Sequence, residues 1–173
     1  MTRFTDEQKT ALTAPLNSAH VKQVQGNDYI EGWHAINEAN RIFGFDGWSY
    51  SVERLDCTSN HTNQNDTIVV GYIAVVRVRV GDVERMDTGF GTGMSKNDPS
   101  KCHENASKEA VTDALKRCLR TFGNAFGLAL YDKEKVNVSN APDPAILFGK
   151  MKDALKGCVS VGDVKSCWAD IWR

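Results

Sequence analysis

Only four prolines interrupt the 173 residues, no apolar run approaches the ~18 residues of a membrane span, and neither sign of charge is in excess. The scarcity of proline leaves room for long regular elements. The missing apolar run excludes a helical membrane protein, and the N-terminal MTRFTDEQKT offers neither the apolar stretch nor the cleavage site of a secretory signal. A cytoplasmic, nucleoid-associated protein without membrane contact is expected. The balance of 21 Lys+Arg against 22 Asp+Glu removes any global reason to bind a polyanion, so a nucleic-acid site has to be a local patch. Five cysteines (Cys57, Cys102, Cys118, Cys158 and Cys167) are scattered without a C-x-x-C pair, which reads as reduced thiols.

Recognisable signatures of catalysis are also missing. There is no G-x-S-x-G and no H-E-x-x-H, and the pairs Cys57/His61 and Cys102/His103 do not make a four-ligand zinc spacing. The glycine-rich GFGTG at residues 89–93 matches neither phosphate-loop pattern, because Met94 stands where a last glycine is needed. It is read as a tight connection using positive φ. No cofactor and no metal are expected.

What is present is an ordered alternation of periods. Thr5 with Gln8 fits a capping box on a short helix that ends before Pro15, and residues 16–28 read as a connecting segment. YIEGWHAINEANRIF, residues 29–43, puts Trp33, Ile36, Ala39 and Phe43 on one side at helical spacing, with Glu31, His34, Glu38 and Arg41 opposite. Trp48, Tyr50 and Val52 alternate as a strand, followed by a polar loop over residues 58–66. Residues 67–80 carry the strongest strand signal. Gly81-Asp82 then fits a type II′ turn into a third strand running towards Phe90, with Arg79 opposite Glu84. Asp98-Pro99 opens a long helix through residues 101–122. The stretch 136–144 reads as a linker, and residues 146–156 and 164–172 as two short helices. The fold class is α+β: an antiparallel sheet of three or more strands packed on a long α-helix, with a helical C-terminal tail.

The long helix is the informative element. Val111, Ala114, Leu115, Cys118, Leu119 and Phe122 form an apolar arc, while Lys116, Arg117 and Arg120 fall together on the opposite, exposed side. Cations held in register on a rigid helix can neutralise successive phosphates of a nucleic-acid backbone. The same spacing also fits a solvated helix face in which Asp113 bridges to Lys116 and Arg117. Glu31 beside His34 could be drawn as an acid/base pair, but helix neighbours of this kind are usually surface pairs. Trp33, Phe43, Phe45 and Trp48 could stack on bases or simply fill a core.

Two of these segments, YIEGWHAINEANRIFGFDGW at 29–48 and KEAVTDALKRCLRTFGNAFGLALYDK at 108–133, resemble the signature blocks of the Rad52 family of single-strand annealing proteins. The resemblance covers about residues 16–135, with the VRV strand at 76–78 in the same order. It implies a ring of protomers with single-stranded DNA in a basic groove, where Lys116, Arg117 and Arg120 contact phosphates. A further family arginine lies upstream of the first block's tyrosine, where this chain has His20-Val21-Lys22, so Lys22 is the candidate there. The family's outer DNA site uses lysines ahead of the long helix. Asn97 and Pro99 stand near those positions, leaving Lys96 and Lys101 as substitutes for an outer site that could take double-stranded DNA.

Residues 1–135 are therefore read as a DNA-binding, annealing and oligomerisation domain, 136–144 as a linker and 145–173 as a helical tail. The expected function is ATP-independent binding and annealing of complementary single strands in homologous recombination and double-strand break repair, without enzymatic chemistry. The tail is the one segment through which a recombinase or a single-strand-binding protein could dock. A chain this compact suits a bacterium or a phage-infected cell. Two alternatives remain open from sequence: a metal-dependent nuclease using Glu31, Asp87 or Asp113, and a ring-forming adaptor without DNA binding.

Overall fold

The computed structural model describes residues 4–140, together with 148, 151–153 and 156. Helix α1 (Asp6–Thr13) opens on the expected capping box, in which the Thr5 hydroxyl accepts from Gln8 N and the Gln8 amide oxygen accepts from Thr5 N. Residues 16–28 are more than a connection. They hold β1 (Leu16–Asn17), β2 (Val21–Val24) and the start of β3 (Asn27–Ile30), with β2 and β3 forming an antiparallel ribbon. Gln25 and Gly26 turn that ribbon with φ of 51° and 81°, the double positive φ of a type I′ turn. A glutamine is an uncommon first residue for such a turn, which is why the hairpin is not legible in the sequence.

Helix α2 (Gly32–Phe43) begins only after Tyr29 and Ile30 have been used in β3. Its buried face is His34, Ala35, Ala39, Ile42 and Phe43, whereas Trp33 is 61% and Ile36 38% exposed. The expected apolar face is thus rotated. Both arcs obey helical spacing, and the wide Trp33 side chain biases a reading by hydrophobicity towards the wrong one. His34 goes inside, its ring stacked on His20 with centroids 4.1 Å apart.

Three long strands follow: β4 (Trp48–Thr62), β5 (Ile68–Val80) and β6 (Val83–Ser95), antiparallel in the order β4-β5-β6. The polar residues 58–62, expected in a loop, continue β4 through two bulges; only 63–67 turn, held by the Asn63 carboxamide accepting from Asn65 N and Thr67 N. Gly81 turns the next hairpin at φ 55°, Arg79 pairs with Glu84 as expected, and β6 runs past Phe90 to Ser95.

Helix α3 (Pro99–Arg120) is capped by Asp98, whose carboxylate accepts from Lys101 N at 3.0 Å. It lies over β5 and β6 and barely meets β4. The GFGTG stretch makes this contact possible. It is not a turn: Gly89, Gly91 and Gly93 sit inside β6 and face the small residues Ala114, Ala110, Ala106 and Cys102. A Cβ on Gly91 would stand 2.5 Å from Ala110 N and closer still to Ala106 O. The glycines serve backbone-to-backbone approach, not left-handed φ.

The core beneath α3 joins Val76, Val78, Leu119 and Phe126 to Leu12, Ile30 and Phe43. After α3, two single 3₁₀ turns (Asn124–Phe126 and Leu128–Tyr131) lead to β7 (Val138–Ser139), which pairs in parallel with β1. The first residues of the expected linker are therefore docked to the domain. Residues 148, 151–153 and 156 are helical, as the periodicity of 146–156 predicts, and the helix expected at 164–172 lies outside the described residues.

Candidate nucleic-acid interface

The cations of α3 line a hollow walled by Asp28, Tyr29 and Ile30 of β3 on one side and the 3₁₀ turns with Tyr131 on the other; Asp113 lines it too, and Asp28 is paired with Lys135. The α3 cations are half-buried instead of fully exposed, and each has its own support. The Lys116 ammonium lies 5.5 Å from the centre of the Tyr29 ring, and the Arg120 guanidinium 4.1 Å from that of Tyr131, whose hydroxyl it also meets. Arg117 Nε donates to Asp87 Oδ1 at 3.2 Å, and this hydrogen bond raises the guanidinium pKa further above its ordinary value.

The anticipated bridge from Asp113 to Lys116 and Arg117 is replaced by another arrangement. Asp113 accepts the backbone N–H of Phe90 at 3.3 Å, and Glu109 accepts that of Thr92 at 2.8 Å. Both carboxylates are thus occupied by amides on the free edge of β6. This matters for the patch, because acids that satisfy backbone donors are already partly compensated.

Lys22 lies outside the lining of this hollow, yet the β2-β3 ribbon brings it beside Tyr29. It stands directly opposite Tyr29 in the ribbon, so the two side chains project from the same face. Tyr29 thus has Lys22 opposite it in the ribbon and the Lys116 ammonium over its ring. The hollow continues along α3 into a second one that shares Asp113 and Lys116 and adds Lys108 and Phe90, the latter 52% exposed. Sequence reasoning missed Tyr29, Tyr131, Lys108 and Phe90. Helical spacing puts Tyr29 in a helix, and Phe90 falls where the expected third strand gives way to a glycine-rich connection, so neither shows its neighbours in the sequence.

Lys96 and Lys101 are not part of this valley. Lys96 follows the end of β6, and Lys101 lies in the first turn of α3, roughly 22 Å along the helix axis from Lys116 at 1.5 Å per residue. Both are exposed.

The carboxylates of the nuclease alternative do not converge. Glu31 is the N-cap residue of α2, Asp87 engages Arg117, and Asp113 engages Phe90 N. Among the described residues no three His, Cys, Asp or Glu side chains group as metal ligands. Among those residues, too, no helix is long and apolar enough to cross a membrane.

Curated relatives are fungal DNA repair and recombination proteins. The chain is 49% identical to RAD52 of Candida glabrata over 107 residues, covering 61% of this chain and 21% of that protein. It is 38% identical to rad22 of Schizosaccharomyces pombe over 132 residues, covering 72% and 28%, and 34% identical to rti1 of the same yeast over 143 residues, covering 77% and 38%. The chain thus spans between about a fifth and two-fifths of their lengths. These relatives give no support to the expected bacterial or phage source. The family model for Rad52/22 double-strand break repair proteins matches residues 5–144, across both signature blocks and the whole of the valley, and the chain belongs to that family.

Proposed function

We propose that this domain binds single-stranded DNA along the α3 valley and anneals complementary strands without nucleotide hydrolysis. The observation that carries the reading is the convergence of Lys116, Arg117 and Arg120 on one concave surface of a chain whose net charge is only -1, with Lys22 one strand away opposite Tyr29. Phosphates neutralised at that depth leave the bases outward, and the exposed rings of Tyr131 and Phe90 offer sequence-tolerant stacking. Pairing and stacking of the second strand then supply the driving free energy. The names of the relatives, which are DNA repair and recombination proteins, support a role in recombinational repair.

The reading includes a ring of protomers. Glu109 and Asp113 cap the edge amides of β6, whereas the fifteen residues of β4 form the other edge of the sheet. Tyr50, Val52 and Leu55 of β4 are 49%, 44% and 42% exposed because α3 does not reach over them. One guarded edge and one open edge favour a head-to-tail contact, which closes into a ring when the rotation allows. Lys96 and Lys101 are assigned to an outer site for a second or double-stranded DNA. The segment after residue 144 is assigned to contacts with a recombinase or a single-strand-binding protein. A mobility assay with single- and double-stranded DNA across a salt series tests the reading. It expects salt-sensitive single-strand binding; magnesium-dependent cleavage would support the nuclease, and no binding the adaptor.

A further inference from the structure

Arg117 is held differently from its two neighbours. Lys116 and Arg120 rest on aromatic rings, but Arg117 is fixed by a carboxylate that is itself fixed. Asp87 sits in mid-strand on β6, opposite Val76, and its side chain is only 26% exposed. The Oδ1 that accepts from Arg117 Nε also accepts from Thr88 N at 2.8 Å. The carboxylate is therefore a stationary post between the sheet and α3.

A guanidinium is a planar fork of five donors. The bond to Asp87 uses Nε, so the Nη1–Nη2 edge is the part left for a second anion. A long arginine side chain that is free in solution loses its rotamer freedom when it meets a phosphate. One already ordered by an ion pair does not pay that cost again.

We propose that Asp87 is a positioning residue of the DNA groove, which fixes Arg117 so that the outer edge of its guanidinium meets a backbone phosphate. This rests on the reading of the α3 valley as the single-strand site. A carboxylate in an anion-binding groove can also act in the opposite sense, by neutralising Arg117 and repelling phosphate. The two roles differ in what a neutral isostere does. The asparagine of Asp87→Asn still offers a carbonyl to Arg117 Nε, while Asp87→Ala removes both charge and acceptor.

The test measures binding of a fluorescent oligothymidylate by the full chain over a salt series, with thermal unfolding and light scattering on every variant. Asp87→Ala should weaken binding roughly two- to twelvefold, the range for immobilising one rotamer-rich side chain on association. Asp87→Asn should stay within about twofold of the parent or bind more tightly, since aim is kept and repulsion removed. In an Arg117→Ala background, Asp87→Ala should change nothing further. If Asp87→Ala does not fold, Asp87→Ser replaces it, being too short to reach Arg117 while keeping a polar group near Thr88 N. Tighter binding by both Asp87→Ala and Asp87→Asn overturns the positioning role in favour of a brake. So does an Asp87→Ala loss that persists undiminished without Arg117. Weaker binding by Arg117→Ala alongside parental affinity of Asp87→Ala overturns this role alone. Parental affinity and salt slope of Arg117→Ala itself instead overturns the groove reading on which it rests.

Discussion

Replacing Gly91 by alanine adds one methyl group in the middle of the close approach between β6 and α3. The new Cβ would lie 2.5 Å from Ala110 N and 2.8 Å from Glu109 Cβ, with Ala106 O nearer still. These are mostly backbone atoms of a 22-residue helix, so no side chain can turn aside. The helix must withdraw from β6 by on the order of 1 Å to restore ordinary contact, and dispersion is lost along the whole interface from Cys102 to Cys118. Overpacking of a well-fitted core costs ~1–3 kcal/mol, and rigid atoms on both sides place this case at ~3 kcal/mol or above. For a domain of this size that is a fall in melting temperature of about 10 °C. Thermal unfolding followed by circular dichroism measures it. Gly26→Ala is the control: its φ is 81° but nothing lies within 4 Å of the added carbon, so only ~1 kcal/mol of backbone strain is expected. A Gly91→Ala protein melting as the parent does, or no lower than Gly26→Ala, would refute the close-approach account of the glycine stripe.

Three further outcomes are expected. On the proposed ring model the parent scatters light as a large assembly, and Leu55→Arg, which places a charge on the uncovered strip of β4, should scatter as a folded protomer; an unchanged mass moves the contact to another face. Annealing of complementary oligonucleotides should proceed without nucleotide and with a metal chelator present, and strict dependence on ATP or magnesium contradicts it. Burial pushes the Cys118 thiol up to about 11, and it donates to Val76 O at 3.1 Å. The unfolded thiol, near its ordinary ~8.5, ionises first as pH rises, so the folded state loses stability between the two values. Native protein at pH 8 should resist alkylation at Cys118 for this reason and at Cys102 because it is buried, while Cys57, which is exposed, reacts.

The sequence displayed those parts of the fold that depend on neighbours along one chain segment. The Thr5–Gln8 capping box, the Asp98 cap, the Gly81 turn with Arg79 opposite Glu84, and the clustering of Lys116, Arg117 and Arg120 all arise within a few residues. What it hid depends on elements meeting. Nothing local distinguishes a glycine needed for positive φ from one needed for clearance, and only the facing row Ala106, Ala110 and Ala114 shows that Gly89–Gly93 is the second kind. The burial of His34 in place of Trp33 is decided by what α2 packs against, since two arcs fit its period equally well. Asp87 reaches Arg117 across thirty positions, and Lys22 comes to stand opposite Tyr29 only because Gln25-Gly26 turns the ribbon.

The central claim, that the cations of α3 hold DNA by its phosphates, is tested most directly by Lys116→Ala/Arg117→Ala/Arg120→Ala. Single-strand affinity and melting temperature are measured on the same preparation across a salt series. Loss of Arg117 removes a partly exposed ion pair while Asp87 keeps its bond from Thr88 N, so a stability loss of no more than ~1 kcal/mol is expected alongside the binding defect. The slope of log affinity against log salt should flatten by roughly 0.7 per lost phosphate contact, about 2 for the three, and the weakening should be similar for all base sequences. A folded, assembled triple variant that binds single-stranded DNA with the parent's affinity and slope would contradict the account.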